Sequence, residues 1–271
     1  MTELLDSQFP PWVILHVPHD ATFIPDEVRD QFVLDDLQLE HEVRVMTDLV
    51  TWKLLAQGFA EAQVVKSRVS RLVVDVERFH DDEQESMAKQ GMGVIYQLTH
   101  NLDPLRRSLT DDEREELLVR WYWPHHLALC QAVDRVLDQF GRALVLDAHS
   151  FPSRALPYEI NARAQRPEIC IGTDQFHTSP GLAGSLSQAF DALGFDTALN
   201  TPFSGARVPA KHYRRDRRVE AAMIEVRRDL YLDESSGQLS KSVGLIAKKL
   251  RAALLAGLSV SPGLTVADTG N

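Results

Sequence analysis

The chain has 271 residues, of which 44% are apolar and 25% are charged, a composition typical of a folded globular protein with a large core. Its 29 Lys and Arg residues against 39 Asp and Glu residues give a formal net charge of −10, which excludes a generally basic surface for nucleic acid or anionic lipid. An anionic small molecule would therefore need a local cluster of basic side chains.

Apolar runs predict strands, and apolar residues at helical spacing predict helices. The predicted strands are 12–17, 62–67, 71–76, 143–150, 168–172 and 196–199, with a further apolar run at 220–226. The segments 62–67 and 71–76 are either two strands or one interrupted strand. The predicted helices are 35–57, 110–141, 182–193 and 239–258, the second with a kink at Pro124. This alternation predicts an α/β fold with a central mixed, mostly parallel sheet flanked by helices. We expect one domain over 1–258 and a flexible tail at 259–271.

Several features predict a cytoplasmic protein. No apolar run approaches the roughly 20 residues that a membrane span needs, and the first residues lack the basic and apolar regions of a signal peptide. Cys130 and Cys170 lie far apart without a disulfide or zinc-binding spacing, which fits a reducing compartment.

Two histidines, His19 and His149, come directly after the apolar residues of predicted strands. Because neighbouring strands bring their carboxyl ends to one edge of a sheet, the two side chains are expected to converge. Zn²⁺ or a similar metal would need a third ligand, and Asp48 on the predicted helix 35–57 is the candidate. Asp20 and Asp147 are candidates for orienting the two rings. The alternative, that both histidines are ordinary polar loop residues, stays open because no short motif joins them.

Two arginines flank the predicted strand 71–76. Arg71 and Arg78 could bind a carboxylate-bearing ligand through their guanidinium forks. The alternative is an ion-pair network with Asp75 and Glu77, which is at least as common for arginine beside acidic residues.

One carboxylate, Glu225, lies inside the apolar run 220–226. Burial raises the pKa of a carboxylate toward the working range of a general base, so Glu225 is the best acid–base candidate in the chain. The alternative is a core residue paired with Arg227 or Arg228.

Six ordered motifs between about Trp12 and Glu234 resemble the N-formylglutamate amidohydrolase family. They are VPH at 17–19, MTD at 46–48, SRLVVDVERF at 70–79, GMGVIY at 91–96, LDAHS at 146–150 and EVRRDLY at 225–231. The resemblance implies a fold similar to the zinc-dependent exopeptidases. It also implies hydrolysis of N-formyl-L-glutamate to formate and L-glutamate, late in histidine breakdown.

Taken with this resemblance, the candidate residues predict a metal-dependent amidohydrolase. Zn²⁺ would be held by His19, Asp48 and His149, and Glu225 would be the general base. Arg71 and Arg78 would bind the carboxylates of a small anionic substrate. Two alternatives stay open. One is a related metallo-deacylase or carboxypeptidase-like hydrolase acting on another N-acyl amino acid, and the other is a non-catalytic anion-binding protein on the same fold. The sequence does not predict the oligomeric state.

Overall fold

A six-stranded sheet lies at the centre of the computed structural model, which describes residues 8–260. Its strands are β1 (Val13–Val17), β2 (Val64–Lys66), β3 (Ala143–Phe151), β4 (Ile169–Thr173), β5 (Thr197–Leu199) and β6 (Val219–Arg227). Their order is β2–β1–β3–β6–β4–β5, and all neighbours are parallel except β4 and β6. The predicted mixed, mostly parallel sheet is confirmed.

Helices cover both faces of this sheet. The α-helices of the described residues are α1 (Asp36–Met46), α2 (Thr51–Leu55), α3 (Asp111–Leu117), α4 (Trp123–Phe140), α5 (Pro180–Ala192) and α6 (Val243–Val260). A π-helical turn, Leu118–Tyr122, joins α3 to α4 directly before the predicted kink at Pro124. Short 3₁₀ turns occur at Asp26–Gln31, Glu61–Gln63, Ser86–Gln90 and Arg228–Leu230.

The central strand β3 packs against apolar side chains on both faces of the sheet. Leu144 and Leu146 pack in a cluster with α2, α5 and α6, whereas Val145 packs in a second cluster with α4. All nine residues of β3 are buried, so a continuous apolar run is what the fold requires. Both clusters therefore pack on the same sheet, and the single domain over 1–258 stays a prediction.

Three predicted elements differ from the structure. The predicted helix 35–57 breaks after Met46, because residues 47–50 leave the helical path before α2 begins. The segment 71–76 forms turns instead of a strand, and its apolar side chains pack in a third cluster beside α1. Ser259 belongs to α6, so the predicted tail is wrong at this position; residues 261–271 lie outside the described part.

Candidate active site

Two candidate residues lie side by side on adjacent central strands. His149 of β3 is the register partner of Glu225 of β6, so their side chains share one face near the carboxyl ends of both strands. His149 lies within β3, near the carboxyl end of the strand. The backbone ladder between β3 and β6 fixes the separation of the two groups.

The other two predicted metal ligands lie on irregular segments. His19 follows β1 by two residues, and Asp48 lies in the break between α1 and α2. The Asp48 amide donates a hydrogen bond of 3.0 Å to the His19 carbonyl, which joins the two segments. The prediction that Asp48 lies on a helix is wrong, because the chain turns at Thr47 and aims the carboxylate at the sheet edge.

The structure brings the three predicted metal ligands together. Asp48 Oδ2 is 3.2 Å from His149 Nδ1 and 3.6 Å from His19 Nδ1. All three side chains are buried, and one ligand atom from each lies within 4.8 Å of the others. Two imidazoles and one carboxylate at this spacing form a typical three-ligand set for Zn²⁺.

A second carboxylate lies behind each histidine ring. His19 Nε2 is hydrogen-bonded to Asp75 Oδ1 at 2.8 Å. His149 Nε2 is 3.1 Å from Asp147 Oδ1 without hydrogen-bond geometry, because that oxygen is hydrogen-bonded to His16 Nδ1 at 2.8 Å. These contacts leave Nδ1 of each ring facing the cluster. The predicted contact of Asp147 is present, whereas that of Asp20 is not, because its carboxylate accepts from the Trp52 amide 3.3 Å away.

Arg228 is a site residue that the sequence did not identify. Its guanidinium donates to Asp48 Oδ1 at 2.9 Å and to Ser150 Oγ at 3.1 Å, so both oxygens of Asp48 have partners. Burial opposes ionisation of Asp48, but the hydrogen bond from His149 and the nearby charges of Arg228 and His19 hold its pKa well below the usual value. Asp48 is therefore an anion at neutral pH.

Arg71 belongs to the ion-pair network that the sequence left open. Its Nε and one terminal nitrogen are 3.2 and 2.8 Å from Asp75 Oδ2, and Tyr96 also donates to that oxygen. Burial opposes ionisation of Asp75, but the charges of His19 and Arg71 hold its pKa well below the usual value. Arg71 lines the central cavity while it fixes Asp75.

Arg78 is held less firmly than Arg71. Its Nε is 3.8 Å from Asp75 Oδ2, and within residues 8–260 that nitrogen has no hydrogen-bond partner. The guanidinium also lines the cavity, so it is available to an anionic ligand.

Glu225 does not make either of the pairings that the alternative interpretation required. Arg227 binds Asp229 and Arg228 binds Asp48, while Glu225 Oε2 is buried without a hydrogen-bond partner in the described chain. Burial raises the pKa of Glu225 to about 8, partly offset by the positive charge of His149. This environment suits a group that takes and returns a proton.

These groups surround one cavity of about 410 Å³. Polar and apolar side chains line it together. The residues with apolar or aromatic side chains include Val45, Met46, Met87, Phe151, Leu156, Tyr158, Ile160, Pro202, Phe203 and Met223. A cavity of this size with convergent polar groups is typical of a small-molecule site.

The donor set fits a divalent metal. His19 Nδ1 is buried and has no hydrogen-bond partner among residues 8–260, although its other ring nitrogen is bonded to Asp75. A buried imidazole nitrogen without a partner is costly unless it binds a ligand. His19 Nδ1 and His149 Nδ1 both face Asp48 Oδ2, which is the arrangement that three ligands of one ion require.

A family model described as N-formylglutamate amidohydrolase matches residues 12–232. The chain belongs to this family. It is 28% identical over 264 residues to an N-formylglutamate deformylase of Pseudomonas putida, covering 90% of this chain and 92% of that protein. It is 26% identical over 258 residues to an N-formylglutamate deformylase of Pseudomonas aeruginosa, with the same coverage. Family membership confirms the resemblance and the predicted class, a hydrolase acting on a non-peptide C–N amide bond.

Solved structures support the fold. The crystal structure of an N-formylglutamate amidohydrolase from Ralstonia eutropha JMP134 matches with a TM-score of 0.77 at 23% identity, covering 94% of this chain and 95% of that one. A gene product of Agrobacterium tumefaciens matches with a TM-score of 0.61 at 21% identity, covering 90% of each chain. Within residues 8–260, no helix is both long and apolar enough to cross a membrane.

Proposed function

We propose that the chain hydrolyses N-formyl-L-glutamate to formate and L-glutamate with the help of a bound divalent metal, Zn²⁺ by preference. The observation that carries this proposal is the convergence of His19, Asp48 and His149 beside the unpaired carboxyl group of Glu225. A cytoplasmic location and a role in histidine degradation are part of the same proposal.

The metal would be held by His19 Nδ1, Asp48 Oδ2 and His149 Nδ1. When bound, it supplies Lewis-acid activation of water and of the scissile carbonyl group. Asp75 and Asp147 hold the two imidazole rings from behind, and Arg228 holds the second oxygen of Asp48.

Glu225 would move the proton during hydrolysis. It takes a proton from the attacking water and delivers it to the nitrogen of the leaving amine, so that the glutamate product leaves with a neutral or protonated amino group. Among residues 8–260 its Oε2 has no competing hydrogen bond, and the buried position keeps bulk water away from it. A pKa of about 8 without metal lies close to neutral pH, where a group can both take and return a proton.

Arg71 and Arg78 would supply the positive charge that binds an anionic substrate to this acidic protein. Arg78 would bind a substrate carboxylate directly, because it lines the cavity and its Nε lacks a hydrogen bond within the described part of the chain. Arg71 would contribute positive charge while remaining paired with Asp75. The cavity is thus a local cationic region in a protein of net charge −10.

The decisive variant is Glu225→Gln, which keeps the size of the side chain and removes its basicity. We expect kcat for N-formyl-L-glutamate to fall by about 10²- to 10⁴-fold at unchanged metal content, as for loss of a general base. Glu220→Gln is a matched control on the same strand, because Glu220 bonds Ser179 at 2.6 Å, at the opposite end of β6. Wild-type turnover in metal-loaded Glu225→Gln would show that the base is another group.

Substrate comparison tests the rest of the proposal. The wild-type protein should cleave N-formyl-L-glutamate faster than N-acetyl-L-glutamate or a dipeptide. Faster cleavage of another N-acyl amino acid would replace the substrate assignment with the related metallo-deacylase, and no cleavage by metal-loaded protein would favour the anion-binding alternative.

A further inference from the structure

A second group of metal-ligating side chains lies outside the candidate active site. Cys130 and Asp134 are four residues apart on α4, and His212 lies on the turn between β5 and β6. One ligand atom from each lies within 4.8 Å of the others, and none of the three lines the active-site cavity. Two neighbours on one helix and a residue from a separate turn form a three-point site.

The separations of these atoms are close to those of tetrahedral zinc. Asp134 Oδ2 is 3.8 Å from Cys130 Sγ, and Asp134 Oδ1 is 2.8 Å from His212 Nε2. Bonds of about 2.3 Å to sulfur and about 2.0 Å to nitrogen or oxygen put sulfur and oxygen about 3.5 Å apart and nitrogen and oxygen about 3.3 Å apart. Small side-chain rotations would therefore bring the ligand atoms to the separations found around a bound Zn²⁺ ion.

The surroundings of His212 resemble those of the histidines in the active site. His212 is buried, and Asp216 Oδ2 lies 3.8 Å from its Nδ1, behind the ring. A carboxylate in this position orients Nε2 toward the cluster. A separate cavity of about 410 Å³, lined by Asp134 and His212, leaves room for water as a fourth ligand.

Lys211 is the competing partner of this cluster. Its Nζ lies 2.8 Å from both oxygens of Asp134, where it balances the carboxylate charge without an ion. The Lys211 side chain is 60% exposed, so moving it into water costs little. The ion pair between Lys211 and Asp134 does not account for the position of Cys130, since a thiol 3.8 Å from a carboxylate gains little stabilisation without a metal.

We propose that Cys130, Asp134 and His212 form a second metal site, selective for a thiophilic divalent cation such as Zn²⁺. Binding would release the Cys130 thiol proton to solvent and displace the Lys211 ammonium from Asp134. The ion would fasten α4 to the turn that carries His212. The preceding segment contributes Phe203 and Ser204 to the active-site cavity.

Titration of the metal-free full chain with Co²⁺ tests the site, because only a cysteine ligand gives a sulfur-to-cobalt charge-transfer band. We expect two Co²⁺ ions per chain and this band in the wild-type protein. Cys130→Ser should bind one ion without the band and keep its turnover. Cys170→Ala is the matched control and should keep both ions and the band, because Cys170 lies in β4 and contacts the Phe203 carbonyl instead.

Lys211→Met adds a measurement that does not depend on the folding of the cysteine variants. It should bind the second Co²⁺ about two- to fivefold more tightly, which is the range expected for releasing an exposed ion pair. Absence of the band at saturating Co²⁺ in the wild-type protein overturns the proposal, and so does a band that persists in Cys130→Ser and disappears in Cys170→Ala.

Discussion

The candidate active site has a strand-borne half and a loop-borne half, which the fold fixes differently. His149 and Glu225 belong to the strand-borne half, where the β3–β6 ladder sets their positions. His19, Asp48 and Asp75 belong to the loop-borne half, where hydrogen bonds and ion pairs between irregular segments set them. Removing a strand-borne side chain should therefore delete one function, whereas removing a loop-borne carboxylate should disturb several partners together.

The largest expected effect is that of His149→Ala in the strand-borne half. Loss of a metal ligand should lower kcat/KM by about 1000-fold or more, because metal activation is worth several kcal/mol. Metal content measured by elemental analysis should fall in parallel, while circular dichroism shows that the secondary structure of the metal-free protein is kept. Full metal content in this variant would contradict its assignment as a ligand.

The pH dependence of stability tests the second strand-borne group. The pKa of Glu225 rises from 4.5 to about 8 on folding, so the native state holds a proton that the unfolded chain releases between these values. Its contribution to stability is full below pH 4.5 and is lost as the pH rises to about 8, by about 1.4 kcal/mol per unit of pKa difference.

Urea unfolding of metal-free protein at pH 5 and pH 9 measures this contribution. The wild-type free energy of unfolding should fall more over this range than that of Glu225→Gln, which has no proton to lose. Equal pH dependence in the two proteins would mean that Glu225 is not held in its neutral form.

A pair of carboxylate variants compares the two halves directly. Asp75→Asn and Asp147→Asn each remove the group behind one histidine, and each should weaken metal binding by about 10- to 100-fold. Only Asp75→Asn should also raise KM for N-formyl-L-glutamate, because Asp75 fixes Arg71 as well as His19. An equal rise of KM in both variants would remove the distinction between the halves.

The smallest expected effect comes from Arg78→Met, a change at the edge of the loop-borne half. KM should rise by about tenfold with little change in kcat, since the lost interaction is one charge-assisted hydrogen-bonding group. Arg78→Lys keeps the positive charge without the planar guanidinium fork. Its KM should therefore lie between those of the wild-type protein and Arg78→Met. A loss confined to kcat would show that Arg78 does not serve in ground-state binding.

The strand-borne half was the more predictable part of the site. Apolar runs located β3 and β6, and a polar residue that interrupts such a run, as His149 and Glu225 do, stands out in the sequence. The α/β fold and its mostly parallel sheet followed from the same alternation. Register depends on pairing between distant strands, so the direct contact of these two residues required the structure.

The loop-borne half was harder to predict because its order depends on tertiary contacts. The apolar stripe through Met46 and Val50 imitates one long helix, yet Val50 adopts a left-handed conformation with φ of 59° and the helix breaks. Asp75 looked like a partner for arginine only, although it binds Arg71 and His19 together. Thr47 and Asp48 both have low helix propensity, and this pair is the sequence signal for the break.

Both oxygens of Asp48 are engaged by Arg228 and the two histidines, which separates folding from metal loading. A zinc finger acquires its fold from its ion. Here the ion would enter a receptor whose ligands are already in place. Its contribution to the free energy of unfolding should then grow only with the logarithm of free metal concentration, as for any ligand of the native state. Removal of the metal by a chelator should abolish activity without unfolding the protein, and activity should return when metal is added.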